Sequence, residues 1–179
     1  MRMTKIPDVD WSREAKRFFE WAPSRSLLAA IRSYQRHCGR GLVPTLLRKS
    51  AVFRHRFWSV VTGADIPINC RIAGGLLMPH PNGIVIHPDV SIGPNCLIFQ
   101  QVTLGHGRGG VPTIGTGVDI GAGAKVLGGV RVGDYAAIAA MAVVTRDVPE
   151  RALVMGIPAR VVRQAEPGQH PYQAPARPN

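Results

Sequence analysis

The chain has 179 residues, 45% apolar and 18% charged, enough for one core and too ordered in composition for a disordered polymer. Its net charge is +11, yet no apolar run reaches the roughly 18 residues that a membrane span requires. No apolar stretch with a small-residue cleavage site opens the sequence, and Cys38, Cys70 and Cys96 include no Cys-x-x-Cys pair, so reduced thiols in a cytoplasmic protein are expected.

The charge is uneven. Residues 1–64 hold 13 Lys/Arg against 4 Asp/Glu and eight of the eleven aromatics, whereas residues 65–179 hold 9 against 7. A basic, aromatic-rich segment suits nucleic acid or an anionic membrane surface. The blander reading is a small helical module with Arg on its wet face. A weak helix is expected over 11–21. A stronger one, capped by Ser24, runs through Leu27, Leu28, Ile31 and Tyr34 and stops by Gly39. A third follows Pro44 through Leu46, Leu47, Phe53, Phe57, Trp58 and Val61 to Gly63. No helix-turn-helix, zinc or P-loop signature is present, so nucleic acid is not an expected partner; contact with a membrane surface stays open.

From residue 65 the period becomes six. One register runs through Ile86, Ile92, Ile98 and Leu104, then resumes through Ile114, Ile120, Val126, Val132, Ile138 and Val144. A second runs beside it through Ile66, Ile72, Met78, Ile84, Val90, Cys96 and Val102, and resumes from Val118 to Val148. Gly follows the first register at Gly93, Gly105, Gly115, Gly121 and Gly133. Such a period fits neither an α-helix nor a sandwich, whose strands hold no single integer repeat. It fits a parallel β-helix, with aliphatic side chains stacked inward and Gly at the corners. The expected organisation is a helical region over 1–62, a β-helix over 63–163 and a flexible tail over 164–179.

The phase slips once. Leu104 to Ile114 is ten residues, and the Gly-rich stretch 105–112 holds the four extra ones. A solenoid ejects such an insertion as a loop, often on its functional face.

Four blocks, in order, now carry a resemblance. Asp65-Ile-Pro through His80-Pro-Asn-Gly-Ile-Val-Ile, Gln101-Val-Thr-Leu-Gly, Gly121-Ala-Gly-Ala-Lys-Val-Leu-Gly and Gly156-Ile-Pro-Ala-Arg160 resemble the serine O-acetyltransferase family over roughly 63–163. The resemblance implies a mainly β fold, a left-handed parallel β-helix of hexapeptide repeats behind a short α-helical region. It also implies acetyl-CoA as donor and a homotrimer with active sites between subunits, the helical region deciding whether trimers pair.

Within it His80 falls on the family's catalytic histidine and Asp65 on its partner aspartate. The chemistry agrees: acyl transfer to an alcohol needs a base of near-neutral pKa, and a carboxylate can fix its tautomer. A coil of about eighteen residues puts positions fifteen apart on adjacent coils, where strands lie ~4.8 Å apart. The resemblance maps CoA contacts onto Gly105, Ala122, Ala140 and the Gly156, Pro158, Arg160 turn, with Lys125 and Arg163 as further phosphate partners. His106 and Arg108 in the loop are the candidate substrate contacts. His87 and His106 invite a metal reading, but separations of seven from His80 to His87 and nineteen from His87 to His106 repeat no stacked pattern, so no metal is expected.

The sequence also departs from the family pattern. Pro79 stands where the typical motif has Asp, and Gly110 and Val111 stand where the typical loop carries an Arg-His pair that serves the amino acid. The leading expectation is acetyl transfer from acetyl-CoA to L-serine, giving O-acetylserine and CoA for cysteine biosynthesis. A second keeps the chemistry and moves the acetyl group to a sugar hydroxyl. A third is a non-catalytic β-helix scaffold.

Overall fold

The computed structural model describes residues 8–17, 20–37, 39, 41–169 and 171–172. The thiol of Cys38 and the tail beyond Tyr172 lie outside them. Two helices come first: α1 (Pro23–Arg36) and α2 (Leu42–Thr62). Helix α1 starts one residue before Ser24, with Pro23 in its first turn and no side-chain cap, because proline's fixed φ already suits that position. Helix α2 starts before Pro44, which its first turn tolerates for the same reason, and ends at Gly63.

The expected helix over 11–21 is a 3-10 turn, Trp11–Arg13, among the described residues. Tertiary contacts replace helical ones there. Asn95 accepts from the Asp10 backbone and donates to the Asp8 carbonyl, while Glu14 pairs with Arg32 at 2.8 Å.

Then the chain winds. Strands β1 (Arg71–Ile72) and β2 (Val85–Ile86) belong to the first turns; β3 (Ser91–Ile92), β4 (Leu97–Ile98) and β5 (Thr103–Gly105) make the next coil. Strands β6 (Thr113–Ile114), β7 (Asp119–Ile120) and β8 (Lys125–Leu127) follow, then β9 (Arg131–Val132), β10 (Ala137–Ile138) and β11 (Val143–Val144). Strands β12 (Ala152–Met155) and β13 (Arg160–Gln164) close the stack as an antiparallel pair. Three sheets result, β1-β3-β6-β9, β4-β7-β10-β12-β13 and β2-β5-β8-β11, and every other strand pair is parallel. The parallel β-helix expected from the sequence is the fold.

Both six-residue registers point inward. Ile98, Leu104, Ile120, Val126 and Ile138 from the first, and Val90, Cys96, Val102, Val118 and Ala142 from the second, have no exposed surface. Each large aliphatic side chain so placed contributes about 1.5–3 kcal/mol. Glycine marks a corner for a steric reason: a Cβ on Gly93 would lie 2.4 Å from the Gly115 carbonyl oxygen one coil on. Leu27, Leu28 and Ile31 of α1 share one core with Ile66, Cys70, Ile72 and Leu76, so the helix closes the open start of the solenoid. Helix α2 packs outside α1.

Candidate active site

Asp65 bridges Val85 of β2: its amide donates to the Ile84 carbonyl at 2.8 Å, and its carbonyl accepts from Ile86 at 2.9 Å. His80 sits in the corner between Leu77, which bridges Leu97, and β2. Both side chains are exposed, and among the described residues neither makes a hydrogen bond or ion pair.

The corner that holds His80 recurs up the stack. Gln101 donates to the Asn82 carbonyl, Gly123 to the Gln100 carbonyl and Met141 to the Ala122 carbonyl, at 2.8–2.9 Å. One edge therefore carries His80, Ala122 and Ala140, three coil steps or ~14 Å from bottom to top. The adjoining sheet carries Gly105 on β5 and Lys125 on β8. The Lys125 ammonium donates to the Gln101 carbonyl at 2.6 Å. Above them the Gly156 carbonyl accepts from Val143, and Ala159 donates back to Val143, which ties the Gly156–Pro158–Arg160 turn to the top of the same sheet. Sequence positions 80 to 160 thus converge on one strip. Its small residues, Ala140 and Gly156 exposed and Gly105 and Ala122 half-buried, leave backbone within reach of an extended ligand.

The loop 105–112 is built, not loose. Gly107 and Gly110 exchange two backbone hydrogen bonds, 2.9 and 3.2 Å, and the Arg108 carbonyl accepts from the Gly129 amide at 3.0 Å. Only glycine fits beneath it, since a Cβ on Gly129 would meet the Gly109 oxygen at 2.2 Å. His106 and Arg108 stay exposed.

One contact of this region escaped the sequence reading. His87 lies beside His106, their ring centroids 6.1 Å apart. Val85 pairs with Thr103, so a coil here is eighteen residues, and nineteen is one coil plus one residue, at the point where β5 gives way to the loop. The spacing that looked out of step is a diagonal contact. Asp89 holds the His87 ring: its amide donates to Nδ1 at 3.2 Å and its carboxylate lies 3.8 Å away. Beneath, the Cys70 thiol donates to the His87 carbonyl at 3.7 Å and is pushed up to about 11 by burial, then by Asp65 and Asp89. Among the described residues no three His, Cys, Asp or Glu side chains gather as a metal-ligand set.

Known proteins are similar to this chain in sequence and in fold. Serine acetyltransferase of Mycobacterium tuberculosis is 40% identical over 116 residues, 62% of this chain and 50% of that protein. A structure of serine acetyltransferase from Brucella abortus in complex with coenzyme A superposes with a TM-score of 0.68 at 30% identity, covering 82% of this chain and 58% of that one. Over the matched region the chain is similar to serine acetyltransferases in both sequence and fold. A Neisseria gonorrhoeae serine acetyltransferase in complex with serine matches at TM-score 0.65 and 36% identity, over 78% of this chain and 57% of its own. The chain spans about half the length of the curated serine acetyltransferases it matches. No family model matches it.

Proposed function

We propose that the protein is an acetyl-CoA-dependent O-acetyltransferase acting on L-serine. The single observation that supports this best is the strip from His80 past Ala122, Lys125 and Ala140 to the Gly156–Arg160 turn, in a chain similar to serine acetyltransferases. His80 takes the proton from the serine hydroxyl as its oxygen attacks the thioester carbonyl. The tetrahedral intermediate then collapses, the C–S bond breaks, and the imidazolium returns its proton to the CoA sulfur. The products are O-acetylserine and CoA. Asp65, which makes no hydrogen bond to His80 among the described residues, turns onto the imidazole in the occupied site, orients it and stabilises its charged form.

CoA runs up the strip with backbone contacts at Gly105, Ala122, Ala140, Gly156 and Pro158, its phosphates meeting Lys125 and Arg160. His106 and Arg108 read the acceptor. The exposed His80 and Asp65 side chains fit a site completed by a second copy, and the family resemblance implies a trimer as the working unit.

A second reading, transfer to a sugar hydroxyl, is favoured by one observation. Gly110 and Val111 occupy the loop where a carboxylate-binding Arg-His pair would stand, and Val111 packs against the core. Incubation with acetyl-CoA and a panel of alcohols, following free thiol, separates the two. Thiol release with L-serine supports the first; release with sugars alone replaces it.

A further inference from the structure

Helix α2 presents two unlike faces. Arg48, Ala51, His55, Trp58 and Thr62 face inward: Ala51 and Thr62 are buried, and His55 bonds the Ile66 carbonyl at 2.8 Å. On the far side Val43, Leu46, Ser50, Phe53, Phe57 and Val60 recur at alternating three- and four-residue steps, a continuous stripe along the helix. The stripe is open to solvent, with Phe53 74% and Val60 84% exposed. Lys49 and Arg56 border it on one side and Arg54 on the other. The helix holds four Lys/Arg and no Asp or Glu. Trp21, 73% exposed, lies beside the stripe, its ring 5.5 Å from Trp58, whose ring is in turn 5.1 Å from Phe57.

Charge decides what covers such a stripe. Packed in parallel on a second copy of itself, it would set Lys49 against the copy's Arg54, the flanking position that a coiled coil normally fills with opposite charges. An anionic surface meets both borders favourably, because Lys and Arg extend their apolar stems along the stripe and keep their heads at the phosphate level. A cleft of about 420 Å³ opens beside Lys49, lined also by Tyr34, Thr45 and Arg48, whose guanidinium lies 4.9 Å from the Tyr34 ring centroid. It offers a single phosphate headgroup a seat. No helix among the described residues is long and apolar enough to cross a membrane, so α2 would lie on the surface.

We propose that α2 docks the protein on a bilayer surface bearing anionic phospholipid, with Phe53 and Phe57 in the acyl boundary and Lys49, Arg54 and Arg56 on headgroups. Trp21 sits at the interface level, where indoles partition best. This surface is separate from the acetyl-transfer strip and does not depend on that reading.

The test is co-sedimentation of the full chain with vesicles of phosphatidylcholine and phosphatidylglycerol in equal parts, against pure phosphatidylcholine. Wild type pellets with the mixed vesicles and is released by added salt. Lys49→Glu with Arg56→Glu lowers binding by more than about tenfold, as about 1 kcal/mol for each surface charge requires. Phe53→Ser with Phe57→Ser lowers it by a similar factor, with the melting curve and solution acetyl transfer unchanged. Wild type remaining in the supernatant, or binding both vesicles equally, overturns the proposal. So does a loss of assembled mass in Phe53→Glu by sedimentation velocity, which would make the stripe a contact between copies.

Discussion

The imidazoles of His87 and His106 lie side by side on successive coils, ring centroids 6.1 Å apart, with His87 held from behind by Asp89. His106 opens the loop that carries Arg108, so the pair couples a strand-anchored histidine to the acceptor end of the proposed site. His87→Ala should therefore act through His106. The expected outcome is a rise in acceptor KM of about tenfold, little change for acetyl-CoA, and a double variant no worse than His106→Ala alone. Additive losses in steady-state kinetics would mean that the two rings work separately.

Arg108 is the one cation of the loop. If it reads a carboxylate, Arg108→Ala raises the serine KM about ten- to a hundredfold, as a charge-assisted hydrogen bond of about 1.5–3 kcal/mol requires. Serine methyl ester should then be a poor acceptor for wild type. Equal rates on serine and its ester would move the assignment to a sugar or another uncharged alcohol.

Gly129 tests whether the built loop matters. Gly129→Ala pushes a Cβ toward the Gly109 oxygen, 2.2 Å away, and must lift the loop off the next coil. The coil beneath keeps its inward side chains, so the melting temperature should fall by only a few degrees, for about 1 kcal/mol lost. Acceptor KM should rise more than tenfold. Unchanged kinetics would show that loop position is irrelevant.

Two thiols report on the core. Cys96 has no exposed surface, bonds the Gly115 carbonyl at 3.2 Å, and is pushed up to about 12 by burial; Cys70 rises to about 11. Both stay protonated to higher pH when folded than the ordinary 9.0 of the unfolded chain. Their contribution is fully present below pH 9 and is lost as pH rises through 11 and 12. Melting temperature should therefore fall steadily above pH 9, and less steeply in Cys96→Ala. Native-state alkylation near neutral pH, read by peptide mass spectrometry, should leave both thiols unlabelled.

The coil interior was legible because a solenoid repeats one local rule. Ile114 and Val132 stand three hexads apart and stack directly in β6 and β9, and Ile92 of β3 stacks on Ile114 once the four residues ejected as the loop are set aside. The corner edge was half legible: Ala122 and Ala140 stood out only through a family resemblance, and the stacking that joins them to His80 is a backbone property. The His87–His106 contact was missed because an eighteen-residue coil hides a nineteen-residue diagonal. Helix starts were misjudged where proline, not a side-chain cap, sets the first turn at Pro23. The segment 11–21 lacks helical periodicity worth the name; Asn95 ties down the backbone of Asp8 and Asp10 just ahead of it, and Arg32 takes Glu14.

We infer a trimer from the family resemblance, and the exposure of Asp65 and His80 fits a site completed by a second copy. Sedimentation or scattering should give three times the 19.3 kDa chain mass or a multiple of it. A fully active monomer would contradict a site completed by a second copy.

The most direct measurement is steady-state turnover of wild type and His80→Ala with acetyl-CoA and L-serine, following CoA thiol and O-acetylserine together. Wild type should release the two in equal amounts. His80→Ala should lose roughly 10²–10⁴ in kcat while its acetyl-CoA KM stays within a few-fold, and Asp65→Asn should lose less. An undiminished rate in His80→Ala, or thiol release by wild type without O-acetylserine, would contradict the account.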